Sequence, residues 1–420
     1  MAEAAHSATE RLAQHLARPV PRQMRERTRL HLLDWLGCVA GARQSAVAEV
    51  GRTAEPDLLT RAALLGNVLE MDDVHRGALL HPGPVVWPAV IAAIRDEGGT
   101  MDTLLDAAVR GYEAVIAVGE TFDAYHYAHW HNSSSAGGFG AAAAAASVYG
   151  LDPQRTAWAF GNIGSISGGL WHMRHAPGSM TKQLHIAHAA LAGLWVARLA
   201  RKGFVGPAAI LEGPQGLHEA MTKEPAPLRL GEGWRIADVS VKPWAACRHA
   251  HPAIDAAMAL KENGDLSGPI LVETYADAVT FCDRPEPSNV IEAKFSLQHA
   301  VAVVATKGEP KPEHFEPAAI GDPATAAART KVEVREAEDI SARYPAHFGA
   351  RVSAGGHSIE LIDTLGDPER PLSRDGLITK ARQLIAWGGL AEAEADRAVG
   401  LALESGRDPK ELIGLLEDWL

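Results

Sequence analysis

The chain has 420 residues, 47% hydrophobic and 22% charged, and a formal net charge of −12 from 52 acidic and 40 basic side chains. That balance excludes a general nucleic-acid binder, which needs a basic surface to displace counterions from phosphates, and no apolar run approaches the ~18 residues of a membrane span. Three widely spaced cysteines, Cys38, Cys247 and Cys282, exclude a disulfide scaffold and any Cys-x-x-Cys metal knuckle, so reduced thiols are expected.

The N-terminal Met-Ala-Glu-Ala-Ala-His lacks a basic region leading into an apolar core, so a secretory signal is not expected and a cytoplasmic location is. Length leaves room for two or three domains. In chain order, Leu32, Leu33, Leu36, Val39 and Ala40 lay one apolar stripe along a helix begun near Pro21. Glu70-Met-Asp-Asp-Val-His75 and then His81-Pro-Gly place three carboxylates and two imidazoles within twelve residues. These side chains exchange protons near neutral pH, and crowding them in a cleft drives their pKa values apart; the competing reading is a solvated acidic turn between helices. The 19 histidines are bunched, at 126, 129 and 131, at 172 and 175, at 185 and 188, and at 249 and 251.

His131-Asn-Ser-Ser-Ser-Ala-Gly-Gly-Phe-Gly140 precedes the tract Ala141–Ala146, so it reads either as an anion site at a helix N-terminus or as a capping segment in which Ser133 to Ser135 satisfy free N–H groups. Gly178-Ser-Met-Thr-Lys182-Gln-Leu-His185 opens a helix marked by Leu191, Leu194, Trp195 and Leu199 and closed by Lys202-Gly203. The spacing projects Lys182 and His185 to one face, and a cation against the positive end of the helix dipole points to function. The string Gly164-Ser-Ile-Ser-Gly168 lacks the preceding strand of a nucleophile elbow.

After about residue 225 the pattern turns to α+β. Expected strands are Arg235–Val241, Pro269–Thr280, Thr330–Arg335 and His357–Ile362, with a helix at Phe295–Thr306 and a surface excursion at Lys307–Ala327. Helices return from Ser373, among them Leu377–Trp387 and Pro409–Leu420. The expected fold is therefore mainly α: a large all-helical domain formed from both chain ends (1–225 and 371–420) and a smaller inserted α+β domain (226–370). Lys242-Pro-Trp-Ala-Ala-Cys247-Arg248-His249-Ala-His251-Pro gathers a lysine, a thiol, an arginine and two imidazoles in a loop suited to a carboxylate. Metal ligation by Cys247, His249 and His251, or by His126, His129 and His131, is a weaker alternative, since neither has a closed tetrahedral spacing.

Taken in order, these motifs, with His31-Leu-Leu-Asp-Trp-Leu-Gly37, Gly203-Phe-Val-Gly-Pro207, Glu212-Gly213, Phe295-Ser-Leu and Gly366-Asp-Pro, resemble the MmgE/PrpD family along almost the whole chain. That family includes 2-methylcitrate dehydratases, cis-aconitate decarboxylases and iminodisuccinate epimerases. The resemblance implies the two-domain fold above, a homodimer, an active site in the cleft between domains, and neither a metal nor an organic cofactor. It assigns catalysis to Glu70, Asp73, His81, His131, Lys182 and His251, with Lys242 contributed beside His251. Lys242, Cys247, Arg248, Ser133 and Met180 are the candidate substrate contacts. Three departures stand out: Glu70 where many members have Asp, Asn67 where many have His, and Cys247 where cis-aconitate decarboxylases have His, which counts against that decarboxylation. The segment before Glu70 is also shorter than usual.

The expected function is a cofactor-independent lyase or isomerase that abstracts a proton α to a carboxylate of a small di- or tricarboxylate, dehydration first and epimerisation second. Lys182, Lys242, Arg248 and His251 would stabilise the charge that develops on the carboxylate, His131 or His81 would serve as base or acid, and Glu70 and Asp73 would orient an imidazole. Competing classes are a metal-assisted hydrolase and a non-catalytic carboxylate-binding relative.

Overall fold

In the computed structural model, which describes residues 6–176, 178–264 and 266–420, the stripe of Leu32, Leu33, Leu36 and Val39 is wholly buried along helix α1 (Arg22–Ala42). Among the described residues the chain is mainly α with a small four-stranded mixed sheet, and it divides into two units. A helical unit takes the chain up to Val68, Asp72–Val239 and Arg374–Leu420; a mixed unit takes Leu69–Met71 and Ser240–Ser373.

The helical unit is centred on the alanine tract. Pro84 at the first turn starts α2 (Gly83–Glu97), Thr100 caps α3 (Met101–Gly119), and α4 (Gly137–Val148) buries Ala141 to Ala146 against both of them and against α5 (Thr181–Arg201). Alanines bury little area each, so this core gains its dispersion energy from close backbone approach. A Cβ on Gly193 of α5 would lie 2.5 Å from both Ala141 Cβ and the Gly138 carbonyl oxygen, so only glycine lets these two helices meet.

In the mixed unit, α6 (His251–Asn263) and α7 (Leu297–Lys307) pack together, and α6 lies on the sheet against its third and fourth strands. The strands are β1 (Ile270–Thr274), β2 (Val332–Glu336), β3 (Ala350–Ala354) and β4 (His357–Leu361), in spatial order β2-β1-β3-β4. β1 pairs parallel with β2 and antiparallel with β3, and its buried Ile270, Val272 and Thr274 sit opposite Ala354, Val352 and Ala350, giving one apolar face. β3 escapes sequence reading because its buried positions are two alanines and one valine, too weak a period-two signal. The expected strand Pro269–Thr280 stops at Thr274, where a short helix, Ala276–Cys282, takes over.

The expected strand Arg235–Val241 is absent: residues 235–238 form a 3₁₀ turn. Its backbone groups are taken by side chains instead of a sheet ladder. The Arg235 amide donates to Glu113 Oε2 (2.8 Å), while Arg27 donates to the carbonyls of Ile236 (2.8 Å) and Val239 (3.0 Å). The Arg235 guanidinium also pairs with Glu113 (2.6 Å) and Glu120 (2.9 Å), which is why residues 226–239, read from sequence as part of the α+β segment, group with the helices. The supposed excursion at 307–327 contains a 3₁₀ turn at Pro312–Phe315 and short helices at Pro317–Ile320 and Pro323–Arg329, with Phe315 fully buried.

The C-terminal helices α8 (Arg374–Trp387), α9 (Glu392–Leu403) and α10 (Glu411–Trp419) belong to the helical unit. α8 packs along α1, fixed there by a buried ion pair between Lys380 and Asp34. Burial drives the Asp34 carboxyl up to about 6 against the pull of Lys380.

Candidate functional site

The acidic motif folds into a loop that ends at α2. Its first anchor is an antiparallel bridge between His75 and Leu80, with the Ala78 amide donating to His75 Nδ1 (3.1 Å) and Asn132 Nδ2 donating to the Ala78 carbonyl (2.9 Å). His75 is thus committed to holding the loop. Burial, helped by Arg235 and Arg76, lowers its pKa to about 3, so it stays neutral.

The two adjacent aspartates go to different places, as successive residues of an extended segment must. Asp73 is buried under α2, where it accepts from His31 Nδ1 (2.8 Å), Tyr112 Oη (2.6 Å) and the Gly83 amide (2.9 Å). It holds the start of α2 in place, and burial together with this carboxylate pushes the Tyr112 hydroxyl well above its ordinary range. Asp72 instead accepts from Asn67 Nδ2 through both oxygens (2.8 Å each), and its Oδ2 lies 2.8 Å from Nδ1 of His81, a close ion-pair contact whose angle falls outside that of a hydrogen bond. Among the imidazoles of this loop, His81 keeps some solvent exposure (15%). Its main-chain amide donates to Ser133 Oγ (2.9 Å), so Ser133 positions the histidine. The pairing of Asp72 and Asn67 behind His81 is the part of the site that sequence reasoning did not single out; residue type alone gives two neighbouring aspartates the same claim.

His131 lies beside this group. Its amide donates to the Gly169 carbonyl (2.8 Å), and its ring centroid is 4.6 Å from Trp171 and 5.6 Å from His185. Gly169 has φ +111°, and a Cβ there would lie 2.5 Å from Ser134 Oγ, so this crossing requires glycine. Burial holds His131 well below the usual imidazole range, aided by the nearby charges of Lys182, His185 and His81. It is therefore a neutral ring, and its Nδ1, like that of His185, has no hydrogen-bond partner among the described residues. Lys182 sits half-buried in the first turn of α5, with Met180 just before that helix and 38% exposed. The serine run forms a single buried turn, Asn132–Ser135, in which Ser135 Oγ donates back to the His131 and Gly168 carbonyls (3.4 and 3.3 Å).

The mixed unit holds a second group. Glu70 adopts φ +57°, a left-handed conformation that strains a non-glycine residue, and its Oε2 is 3.7 Å from Nζ of the fully buried Lys242. Arg248 is buried in an ion pair with Asp367, which also accepts from Ser240 Oγ (2.6 Å), and its guanidinium lies over Phe348. The Cys282 thiol, hydrogen-bonded to that of Cys247, is pushed well above its usual range, by burial first. His251 is fully buried, facing the Ala246 carbonyl through Nε2 (3.1 Å) and tilted against Trp244. Arg248 and His251 thus support the loop that carries Lys242 and Cys247.

The two sequence-level metal readings are not assembled. His126 stacks on Phe122 and faces the Met221 carbonyl, His129 faces the Tyr125 carbonyl, and His249 Nδ1 faces Tyr275 Oη (2.7 Å). Among the described residues, the His/Cys/Asp/Glu set with ligand atoms gathered within 4.8 Å is His347, Asp363 and Glu369, on the partly exposed edge of the mixed unit.

A mainly α chain in two units, with clustered acid/base side chains at the start of α2 and of α5, defines the class of protein. The MmgE/PrpD N-terminal domain profile matches residues 60–229 and the MmgE/PrpD C-terminal domain profile matches residues 244–405, so the chain belongs to the MmgE/PrpD family. Among its relatives, the "cis-aconitate decarboxylase-like protein oryM" of Aspergillus oryzae is 25% identical over 393 residues, covering 83% of this chain and 79% of that protein. The "cis-aconitate decarboxylase" of Aspergillus terreus is 26% identical over 276 residues, 56% of each chain. Membership supports an enzyme of the lyase or dehydratase type at family level. Among the described residues no helix is long and apolar enough to cross a membrane.

Proposed function

We propose that this chain is a lyase or isomerase that removes a proton α to a carboxylate of a small di- or tricarboxylate with its own side chains, giving dehydration first and epimerisation second. The observation that carries the proposal is the Asp72–His81 contact beside a neutral His131 and the Lys182 ammonium. His81, oriented by Asp72, is the group that moves the proton. Abstraction leaves charge on the adjacent carboxylate, and Lys182 supplies the cation whose attraction strengthens as this charge grows. A neutral imidazole at His131 offers one donor and one acceptor nitrogen to a substrate hydroxyl or carboxylate without adding a competing positive charge. Expulsion of a β-hydroxide then completes dehydration; reprotonation on the other face completes epimerisation.

Decarboxylation is the second reading, favoured by the names of the relatives. Its proton delivery would use the same groups, but Cys247, spent on Cys282, brings no imidazole to that loop. Lys242 and Glu70 enter the proposal through the family resemblance. Assays with 2-methylcitrate, citrate, cis-aconitate, iminodisuccinate, tartrate and malate, reading alkene formation, stereochemistry and CO₂ release, separate these outcomes. Lys182→Met should lower kcat by orders of magnitude with the melting temperature retained; a fully active Lys182→Met enzyme overturns the assignment. We also propose a homodimer, supported by the exposed apolar row Leu184, Leu191 and Trp195 on α5 with neighbouring Phe204 and Val205. Sedimentation of Trp195→Glu should show monomer where the unaltered chain shows dimer.

A further inference from the structure

A cavity of about 790 Å³ that none of the acid/base groups lines opens in the helical unit, between the start of α1, the turn before α3 and residues 405–410. The whole chain is acidic, yet this cavity is lined by five basic side chains, Arg22, Arg25, Arg29, Arg407 and Lys410, against three carboxylates. Arg25 is held by Asp102 (3.1 Å) and Asp106 (2.5 Å), and Arg407 by Glu404 (2.6 Å). Arg22 and Lys410 form no side-chain hydrogen bond or ion pair with the described residues. Arg29 is 96% buried, since only 4% is exposed. Its Nη1 donates to the Ala402 and Glu404 carbonyls (3.1 Å each), which fixes the guanidinium. Its Nε, 3.9 Å from Glu26 Oε1, has no hydrogen-bond partner. Fixed by the two carbonyls, the Arg29 guanidinium is a stationary positive charge in the wall of the cavity.

Arg22, Arg25 and Arg29 fall at i, i+3 and i+7 and so share one face of α1. Arg22 and Arg29 leave the helix about 10 Å apart along its axis, which gives two separate points of attachment for linked anionic groups. We infer that this cavity is a binding site for a small molecule carrying two or more linked phosphate groups, one phosphate taken by the fixed Arg29 guanidinium and the other by Arg22 and Lys410. Guanidinium and ammonium donors suit phosphate oxygens, and the volume suits a ligand of nucleotide size.

The test is calorimetric titration of the full chain with inorganic diphosphate, and separately with citrate, using the unaltered protein, Arg22→Glu and Lys410→Glu. Both variants change exposed side chains outside the acid/base groups, and their melting temperatures check folding. Diphosphate should bind the unaltered chain at submillimolar concentration, weaken with added salt, and bind each variant about tenfold or more weakly. Absence of binding at millimolar diphosphate, or binding that both variants retain undiminished, overturns the inference. Citrate binding tighter than diphosphate and lost in the same variants would make this a carboxylate site and overturn the phosphate assignment.

Discussion

Asp72 and Asp73 are neighbours with opposite work, and substitution separates them. Asp72→Asn should keep the fold but lose the carboxylate that orients His81, lowering kcat by a factor on the order of 10²–10⁴, the range of an acid/base group. Asp73→Asn should instead lower stability by about 2–4 kcal/mol, because the carboxamide keeps one acceptor oxygen for three buried donors and turns an NH2 donor towards the rest; denaturant unfolding measures it. If Asp73→Asn left stability intact and abolished turnover, the two aspartates would have exchanged roles. The motif Glu70–His75 with His81 stands out in the sequence because its residue types are rare together. Its internal division was not, since it depends on which way each side chain leaves an extended backbone and on what lies beneath α2. The same limit applies to Ser133, whose hydroxyl binds a main-chain amide, and to His75, which closes a turn.

The helices were legible wherever apolar spacing is strong, as along α1 and α5, and the strands wherever branched residues cluster, as in β1. Segments whose backbone groups bond to side chains were misread, and Arg235–Asp238 is the clear case: its sequence suits a strand, but Arg27 and Glu113 satisfy it as a turn. Packing of α4 on α5 follows a third rule, small residues at the crossing. Gly193→Ala should force these helices apart and destabilise the chain by about 1–3 kcal/mol. An unchanged unfolding midpoint would mean that the helices relax without loss.

Across the whole molecule, buried histidines set the acid limit. Burial lowers His75 to about 3 and His126 and His299 to about 4, and places His131 well below its usual value. The unfolded chain therefore binds protons below about pH 6.5 that the folded chain refuses, so stability is full above that pH and falls as pH drops toward 4. Each such group contributes a slope of at most about 1.4 kcal/mol per pH unit. Asp34, raised to about 6, acts in the opposite sense between roughly pH 4 and 6, folding being favoured by its protonation, but it is one group against four. Urea unfolding at pH 7 and pH 5 should show a clear loss at the lower pH; equal stability would mean that the buried histidines do not govern the acid limit.

Proton NMR in D₂O reads out the carbon-acid chemistry proposed for the group around His81, His131 and Lys182. The purified chain, incubated with 2-methylcitrate, citrate, cis-aconitate, iminodisuccinate, tartrate and malate in turn, should exchange or remove the proton α to a carboxylate of at least one of them, and Lys182→Met should abolish that change while remaining folded. Retention of every α-proton signal by the unaltered chain would exclude this chemistry for these acids, and equal exchange by the Lys182→Met variant would remove Lys182 from it.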